Sequence, residues 1–309
     1  MKDKGETMRC LITGVAGFIG SHLAELLLAE RLDVCGIDAF VDFYPRSIKE
    51  QNLESPRSFD TFRFIEANLL EIDLSLLLYD IAWVFHLAAQ AGVRTSWGET
   101  FSQHVDCNVR ATQRLLEAAR QRKEIQRFVY TSSSSVYGKQ QVVPLAETMV
   151  PYPLSPYGVT KLAGEHLCQV YHQNFGLPIV SLHYFSVYGP RQLPDMAFHR
   201  FCQAVLAGQP LTIYGDVSNR RDFTSVVDVI EATLSAARRE AAIGEVINVA
   251  GRVAVTLHEV IHLLQVISAD RSSSPLSQSC TALALCRVAV EPRHKPHPLK
   301  ADSYPHFTK

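Results

Sequence analysis

The 309-residue chain has no CxxC pair, no charge excess and no long uninterrupted apolar run, and each absence narrows what it can be. Its seven cysteines (Cys10, Cys35, Cys107, Cys168, Cys202, Cys280 and Cys286) are odd in number and scattered. That pattern points to reduced thiols in a cytoplasmic protein rather than to a disulfide framework. Thirty basic against thirty-one acidic residues give a formal charge of −1, so neither a nucleic-acid nor an anionic-membrane surface is expected. The most apolar window, Leu74 to Val93, is broken by Asp80 and His86 and reads as a helix end plus a buried strand, not a membrane span. The opening MKDKGETM is polar, so no signal peptide is expected. With 47% hydrophobic and 20% charged residues, the composition is that of a soluble globular protein of one large or two modest domains.

Strands and helices alternate along the first half. Arg9 to Thr13 reads as a strand, Gly14-Val15-Ala16-Gly17-Phe18-Ile19-Gly20 as a glycine turn, and Leu23, Leu26 and Leu27 as the start of a helix. Glycines let the backbone turn tightly and approach a pyrophosphate, whose charge suits the N–H groups and dipole at the helix start. A second strand, Asp33 to Ile37, ends in Asp38, about 20 residues past the glycines. A carboxylate there accepts from an adenosine ribose diol and repels a 2′-phosphate, which favours NAD over NADP. Phe62 to Ile65, Ala82 to Leu87, Arg127 to Thr131, Ile179 to His183 and Glu245 to Val249 read as further strands. The alternation predicts a parallel, doubly wound α/β sheet with ligands at the strand C-termini. His86 reads as part of a buried turn.

Two clusters fall at such ends. Thr131 to Ser135 closes the fifth strand, and Ser155-Pro156-Tyr157-Gly158-Val159-Thr160-Lys161 opens a helix, with Ser155 as N-cap and Pro156 at the first helical position. Gly176 followed by Pro178 ends it. Tyr157 and Lys161, at i and i+4, share a face, so the ammonium is expected to lower the phenol below its ordinary value near 10. On its own the pair reads rather as an exposed Tyr and Lys on a surface helix, and only its context turns that reading. After His183 the prolines, aromatics and arginines of loops such as Tyr188 to Arg191 and Arg220 to Phe223 suggest a smaller domain gripping a polar ligand. Arg221 suits a phosphate by its planar fork, or an ion pair with Asp222 or Asp228.

Taken together, glycine turn, acidic strand end, serine cluster and YxxxK resemble the extended short-chain dehydrogenase/reductase family, specifically its nucleotide-sugar epimerases, over about residues 8 to 268. The resemblance implies a Rossmann-type NAD domain over 1–183, a mainly substrate-binding smaller domain over 184–270 with a strand near 245–249 returning to the core, and an atypical tail over 271–309. It implies Tyr157, Lys161 and Ser133 as catalytic residues. Cofactor contacts are implied at Gly14, Gly17, Phe18, Ile19, Gly20, Asp38, Asn68, Leu69, Leu87, Ala88 and Ala89, besides Tyr157 and Lys161. Substrate contacts are implied at Arg94, Ser133, Ser134, Tyr157, Ser186, Arg191 and Arg221. Similar dehydratases and decarboxylases carry carboxylates where this chain has Ser134 and Ser135, which leaves 4-epimerisation of a UDP-sugar as the implied reaction. Ser186 resembles the UDP-glucuronate 4-epimerases, whereas Leu193 stands where they carry an arginine suited to the sugar carboxylate. UDP-glucose and UDP-N-acetylglucosamine are the alternative substrates, a catalytically weak NAD or nucleotide-sugar binder the alternative role. A homodimer is implied as well.

One motif competes. His258-Glu259-Val260-Ile261-His262 fits the HExxH pattern of zinc proteases, with His294 and His297 as candidate third ligands. Leu257, Val260, Ile261 and Leu264 equally make it an amphipathic surface helix, and no metal is expected. Metal analysis of purified protein separates the two: the helix reading expects no stoichiometric zinc and no chelator-sensitive peptidase.

Overall fold

Strands covered on both faces are written as nearly continuous apolar runs, and such runs build the sheet here. The computed structural model describes residues 8–140, 143–214, 220–251, 253–272 and 288–291. In chain order it has β1 (Arg9–Thr13), α1 (Phe18–Ala29), β2 (Asp33–Asp38), α2 (Arg46–Asn52), β3 (Phe62–Glu66), α3 (Leu74–Leu77), β4 (Trp83–His86), α4 (Phe101–Val105), α5 (Ala111–Ala119), β5 (Arg127–Ser133), α6 (Pro156–Phe175) and β6 (Ile179–Tyr184). There follow β7 (Ser186–Tyr188), α7 (Ala197–Leu206), β8 (Leu211–Tyr214), β9 (Arg220–Ser225), α8 (Val226–Arg238), β10 (Val246–Val249), β11 (Ala254–Thr256), α9 (Leu257–Ser272) and β12 (Val288–Glu291). Seven strands form one sheet in the order β3-β2-β1-β4-β5-β6-β10, with every neighbouring pair parallel. These are the seven strands that the apolar runs predict, in a Rossmann-type α/β arrangement. The order reverses between β1 and β4, and the crevice at such a switch point is where open parallel sheets take ligands.

Side-chain alternation sorts the core into two layers. Ile12, Phe85 and Val129 pack with Leu23 and Leu27 of α1 and Val229 and Leu234 of α8. Their strand neighbours Leu11, Val84, Phe128 and Tyr130 turn to the other face and pack with Leu115 and Leu116 of α5 and Cys168 and Tyr171 of α6. Each fully buried side chain of this kind contributes about 1.5–3 kcal/mol.

By its contacts the chain divides into Met1–Leu193 with Asp222–Val253, and Pro194–Arg221 with Ala254–Lys309. The return to the first unit carries α8 as well as β10, because α8 supplies part of one core layer. In the second unit β8 pairs in parallel with β12, and Phe201, Val205, Leu211 and Ile261 bury one another. Of the tail expected over 271–309, the described residues are the end of α9 and β12; the remainder lies outside the described residues.

α6 begins and ends as its sequence directs. Ser155 Oγ accepts the Gly158 N–H at 3.1 Å, Pro156 occupies the first turn, and Gly176 closes the helix at φ +68°. Its inner face is cut to fit β5. A Cβ on Gly164 would overlap the Tyr130 hydroxyl and lie 3.1 Å from the Asn108 carbonyl. Alanine gains about 1 kcal/mol over glycine in an open helix. At Gly164 overpacking reverses the sign: Gly164→Ala is expected to lower stability by about 1–3 kcal/mol, read as a lower urea midpoint at unchanged slope.

Candidate active site

Two loops and one helix meet at the C-terminal ends of β1, β4 and β5. The first loop is the glycine turn. Gly14 has φ +72°, and a Cβ there would come within 2.9 Å of the Ala88 backbone after β4. A Cβ on Gly20 would overlap the Gly14 carbonyl, so turn and helix close on each other as only glycine permits. α1 starts at Phe18 with Gly17 as a cap that makes no side-chain hydrogen bond and with no acidic residue in the first turn. The positive helix end, with Phe18 and Ile19 in its first turn, is thus electrostatically open to an anion.

Asp38 stands at the end of β2 beside that turn. Its Oδ2 accepts the Ala16 N–H at 3.1 Å and its Oδ1 the Phe40 N–H at 2.9 Å. Burial pushes its carboxyl above the ordinary value, against the pull of Lys49 and the two backbone N–H groups. Lys49 is itself buried and donates to the Val41 carbonyl at 2.8 Å. At the end of β3 Asn68 accepts the Leu70 N–H at 3.0 Å, with Leu69 buried next to it. Glycine turn, uncapped helix start and strand-end carboxylate fit a dinucleotide with a free 2′-hydroxyl, the chemistry expected of NAD.

After β4 the chain runs past Leu87, Ala88 and Ala89. His86 is buried and its pKa lowered to about 3, by burial first and by Lys161 second. Thr112 Oγ1 gives its proton to the Asn108 carbonyl at 2.8 Å, so it accepts from His86 Nε2 at 2.9 Å. The Nδ1 of this neutral ring then accepts from Thr13 Oγ1 at 2.7 Å. His86 is a structural group that ties β1, β4 and α5 together.

The third component is α6. The Tyr157 phenol stands beside Ser133, at the end of β5, near enough for that hydroxyl to act on its ionisation. Burial pushes the phenol above its ordinary value, and Ser133 pulls it back. The spacing alone predicts the opposite net shift; burial, which i and i+4 spacing does not encode, outweighs the pull expected from Lys161. Lys161 is 4% exposed and lowered to about 8 by burial, with Cys168 and Glu165 opposing. Its Nζ lies 5.0 Å from the Tyr130 ring centre, and the Tyr130 hydroxyl donates to the Lys161 carbonyl at 3.1 Å.

Asn108 and Tyr130 escape the sequence reading. Asn108 lies in a π turn, Asp106–Arg110, between α4 and α5. Its Oδ1 accepts the Gln90 N–H at 2.7 Å, and its Nδ2 donates to the Gln90 carbonyl at 3.1 Å and to Thr160 Oγ1 at 3.0 Å. It therefore fastens the loop after β4 to the turn of α6 between Tyr157 and Lys161. A single asparagine inside a helical pattern gives no signal of this.

The other predicted residues are distributed more widely. Ser134 opens the short 3-10 turn after β5, and Ser186 starts β7, opposite Phe223 of β9. Arg94 is exposed on the loop after β4. Arg191, at φ +64°, is bound to Glu25 at 2.6 Å and to Ser21 Oγ at 3.2 Å, so its guanidinium braces the Gly189 to Leu193 loop on α1. Leu193 packs on the apolar layer between α1 and α8. Arg221 is exposed on β9, while Asp222 Oδ1 accepts from the Gly251 N–H at 2.6 Å and from Thr224 at 3.2 Å. In the HExxH segment His258, Glu259 and His262 are exposed, and Glu259 Oε2 accepts from Thr256 N at 2.6 Å and Oγ1 at 2.8 Å. Glu259 N–H donates back to Thr256 Oγ1 at 3.1 Å, a capping box that occupies the carboxylate. Among the described residues no cluster of His, Cys, Asp or Glu is arranged to hold a metal, and no helix is long and apolar enough to cross a membrane.

The model of the NAD dependent epimerase/dehydratase family matches residues 10–250. The chain is 47% identical over 267 residues to the "Uncharacterized UDP-glucose epimerase YtcB" of Bacillus subtilis (strain 168), covering 86% of this chain and 84% of that protein. It is 35% identical over 260 residues to the UDP-glucuronate 4-epimerase of Thermodesulfobacterium geofontis (strain OPF15), covering 82% and 79%. A crystal structure of UDP-glucuronic acid 4-epimerase from Bacillus cereus, in complex with UDP-glucuronic acid and NAD, superposes with a TM-score of 0.84 at 45% identity. That match covers 93% of this chain and 86% of the other.

The Asp38 carboxylate yields a direct expectation. Asp38→Asn removes the charge at the end of β2, and NAD binding is expected to weaken about 10- to 100-fold in a fluorescence titration, the equivalent of a charge-assisted hydrogen bond.

Proposed function

The chain belongs to the NAD dependent epimerase/dehydratase family, and from that premise we propose that it interconverts UDP-glucuronate and UDP-galacturonate by epimerisation at C4. The observation that carries the proposal is the Tyr157 phenol set beside Ser133 at the end of β5, one helical turn from buried Lys161. Ser134 and Ser135 follow, so this stretch offers hydroxyls and no carboxylate for elimination or decarboxylation.

Tyr157 takes the proton of the C4 hydroxyl and returns it when the 4-keto sugar is reduced. Ser133 holds that hydroxyl in line with the phenol and stabilises the phenolate as it forms. Lys161 places a positive charge on the same helix face. NAD, when bound, accepts the C4 hydride and gives it back to the opposite face of the sugar. The glycine turn and Asp38 hold the cofactor ends, and the planar guanidinium of Arg221 suits a diphosphate. Arg191 serves the site by bracing its loop on α1.

The likeness to UDP-glucuronate 4-epimerases and the hydroxyl of Ser186 support UDP-glucuronate as substrate. Leu193 favours a second reading, UDP-glucose or UDP-N-acetylglucosamine, since an apolar side chain packed on the core gives a sugar carboxylate no partner. The same proposal includes a cytoplasmic homodimer through the outer faces of the helices packed at α5 and α6, where Val159 and Val170 of α6 are exposed.

Incubation with each UDP-sugar and resolution of the 4-epimers tests the reading: conversion of UDP-glucuronate is expected, and conversion of none defeats it. Tyr157→Phe is expected to lower kcat by about two to four orders of magnitude. Ser133→Ala removes the group that holds the phenol down, so the acidic limb of the pH–rate profile is expected to move to higher pH.

A further inference from the structure

Behind the reacting face of α6 lies a buried polar chain that no step above uses. Glu165 follows Lys161 by one turn, and its Oε2 is 2.6 Å from Nε2 of His183 on β6, both side chains being almost wholly buried. The other ring nitrogen, Nδ1, lies 2.9 Å from the Tyr137 hydroxyl and 3.3 Å from Asn248 Oδ1. Tyr137 comes four residues after Ser133, and its hydroxyl donates to Asn248 Oδ1 at 2.8 Å. Asn248 lies on β10, and its Nδ2 donates to the Leu145 carbonyl at 3.0 Å.

Donors and acceptors can be counted along this chain. The Leu145 carbonyl needs a donor, so the amide of Asn248 points its nitrogen there and its oxygen inward. That oxygen takes the Tyr137 proton at 2.8 Å, the shorter of the phenol's two contacts, the other being to His183 Nδ1 at 2.9 Å. His183 Nδ1 then faces two oxygens with no remaining proton between them, and Nε2 faces a carboxylate. Both contacts are hydrogen bonds only when both ring nitrogens carry hydrogen.

We infer that His183 and Glu165 form a buried imidazolium and carboxylate pair that positions the site, fastening the helix of Tyr157 and Lys161 to the turn after Ser133. The positioning role rests on the catalytic reading of those three residues. Burial pushes the Glu165 carboxyl up, but its bond to His183 and the ring's charge hold it below the ordinary value. The ionisable groups around the pair are Lys161, His166 and Cys168 on α6, Tyr130 on β5 and Tyr137 after it. Beyond Asn248 stands Glu147, whose Oε1 accepts the Asn248 N–H at 2.8 Å. Lys161 stands one turn before Glu165 on the same helix. A neutral His183 would remove the ring's charge from beside the carboxylate, which alters the charge near the phenol as well as the seat of the helix.

Nitrogen-15 labelling of the histidines of the full chain reads the protons directly. At neutral pH His183 is expected to show both ring nitrogens protonated, and to lose one of those protons in Glu165→Gln; a neutral ring in the unmodified protein overturns the inference. That spectrum needs no substrate, so a chain that converts no UDP-sugar yet shows the doubly protonated ring ends the epimerase reading and leaves the charged pair standing. In turnover, His183→Gln is expected to lower kcat at least about tenfold with KM little changed. His183→Arg, a permanent cation with several donors, is expected to restore much of it. Wild-type kcat in His183→Gln overturns the positioning role. Should that variant not fold, Glu165→Asp is compared instead: reduced kcat at retained KM supports the role, and unchanged kcat overturns it.

Discussion

The close seating of α6 on β5 is the contact on which the rest depends. It requires Gly164, because the Tyr130 hydroxyl occupies the space of any Cβ there. That hydroxyl then bonds the Lys161 carbonyl, and the same ring lies under the Lys161 ammonium, so one tyrosine sets both the height of the helix and the place of its cation. Asn108 adds the second anchor by binding Thr160 on α6 and Gln90 on the loop after β4. The loop lies beside the glycine turn, where Ala88 meets Gly14. The cofactor cradle and the Tyr157 helix are therefore held to one another through backbone and buried amide contacts.

Electrostatically the site is governed by burial more than by pairing. Burial lowers Lys161 to about 8 and raises the Tyr157 phenol, which drives apart two proton affinities that start close together and makes the ammonium the more acidic of the two. His86 stays uncharged through burial first and Lys161 second, with its two ring nitrogens bonded to threonine hydroxyls. The low-dielectric surroundings make each neighbour count for more, so the Ser133 hydroxyl and the Glu165 carboxylate carry weight that they would lack at the surface.

Much of this was legible before any coordinates. The seven strands follow from apolar runs, the glycine turn from its position between strand and helix, and the start of α6 from Ser155 and Pro156, because each is a local pattern with a local cause. Asp38 was legible by its distance from the glycines. The HExxH segment was legible as two alternatives, and the Thr256 capping box uses its glutamate. Tyr130, Asn108 and His183 were not legible, since each acts through a partner 18 to 52 residues away that only the folded sheet brings near. The direction of the Tyr157 shift is hidden for the same reason: spacing places charges on a helix face, but burial belongs to the tertiary structure. Arg191 looked like a ligand for an anion and is engaged by Glu25 of α1.

The central claim is that the phenol on this helix drives a reversible oxidation at C4 whose hydrogen never leaves the protein. UDP-glucuronate deuterated at C4 tests it in one experiment, by mass and NMR analysis of the UDP-galacturonate formed in ordinary water with NAD present. The account predicts that the product keeps the deuterium at C4. A product carrying solvent hydrogen at C4, or an epimer altered at any other carbon, would contradict it.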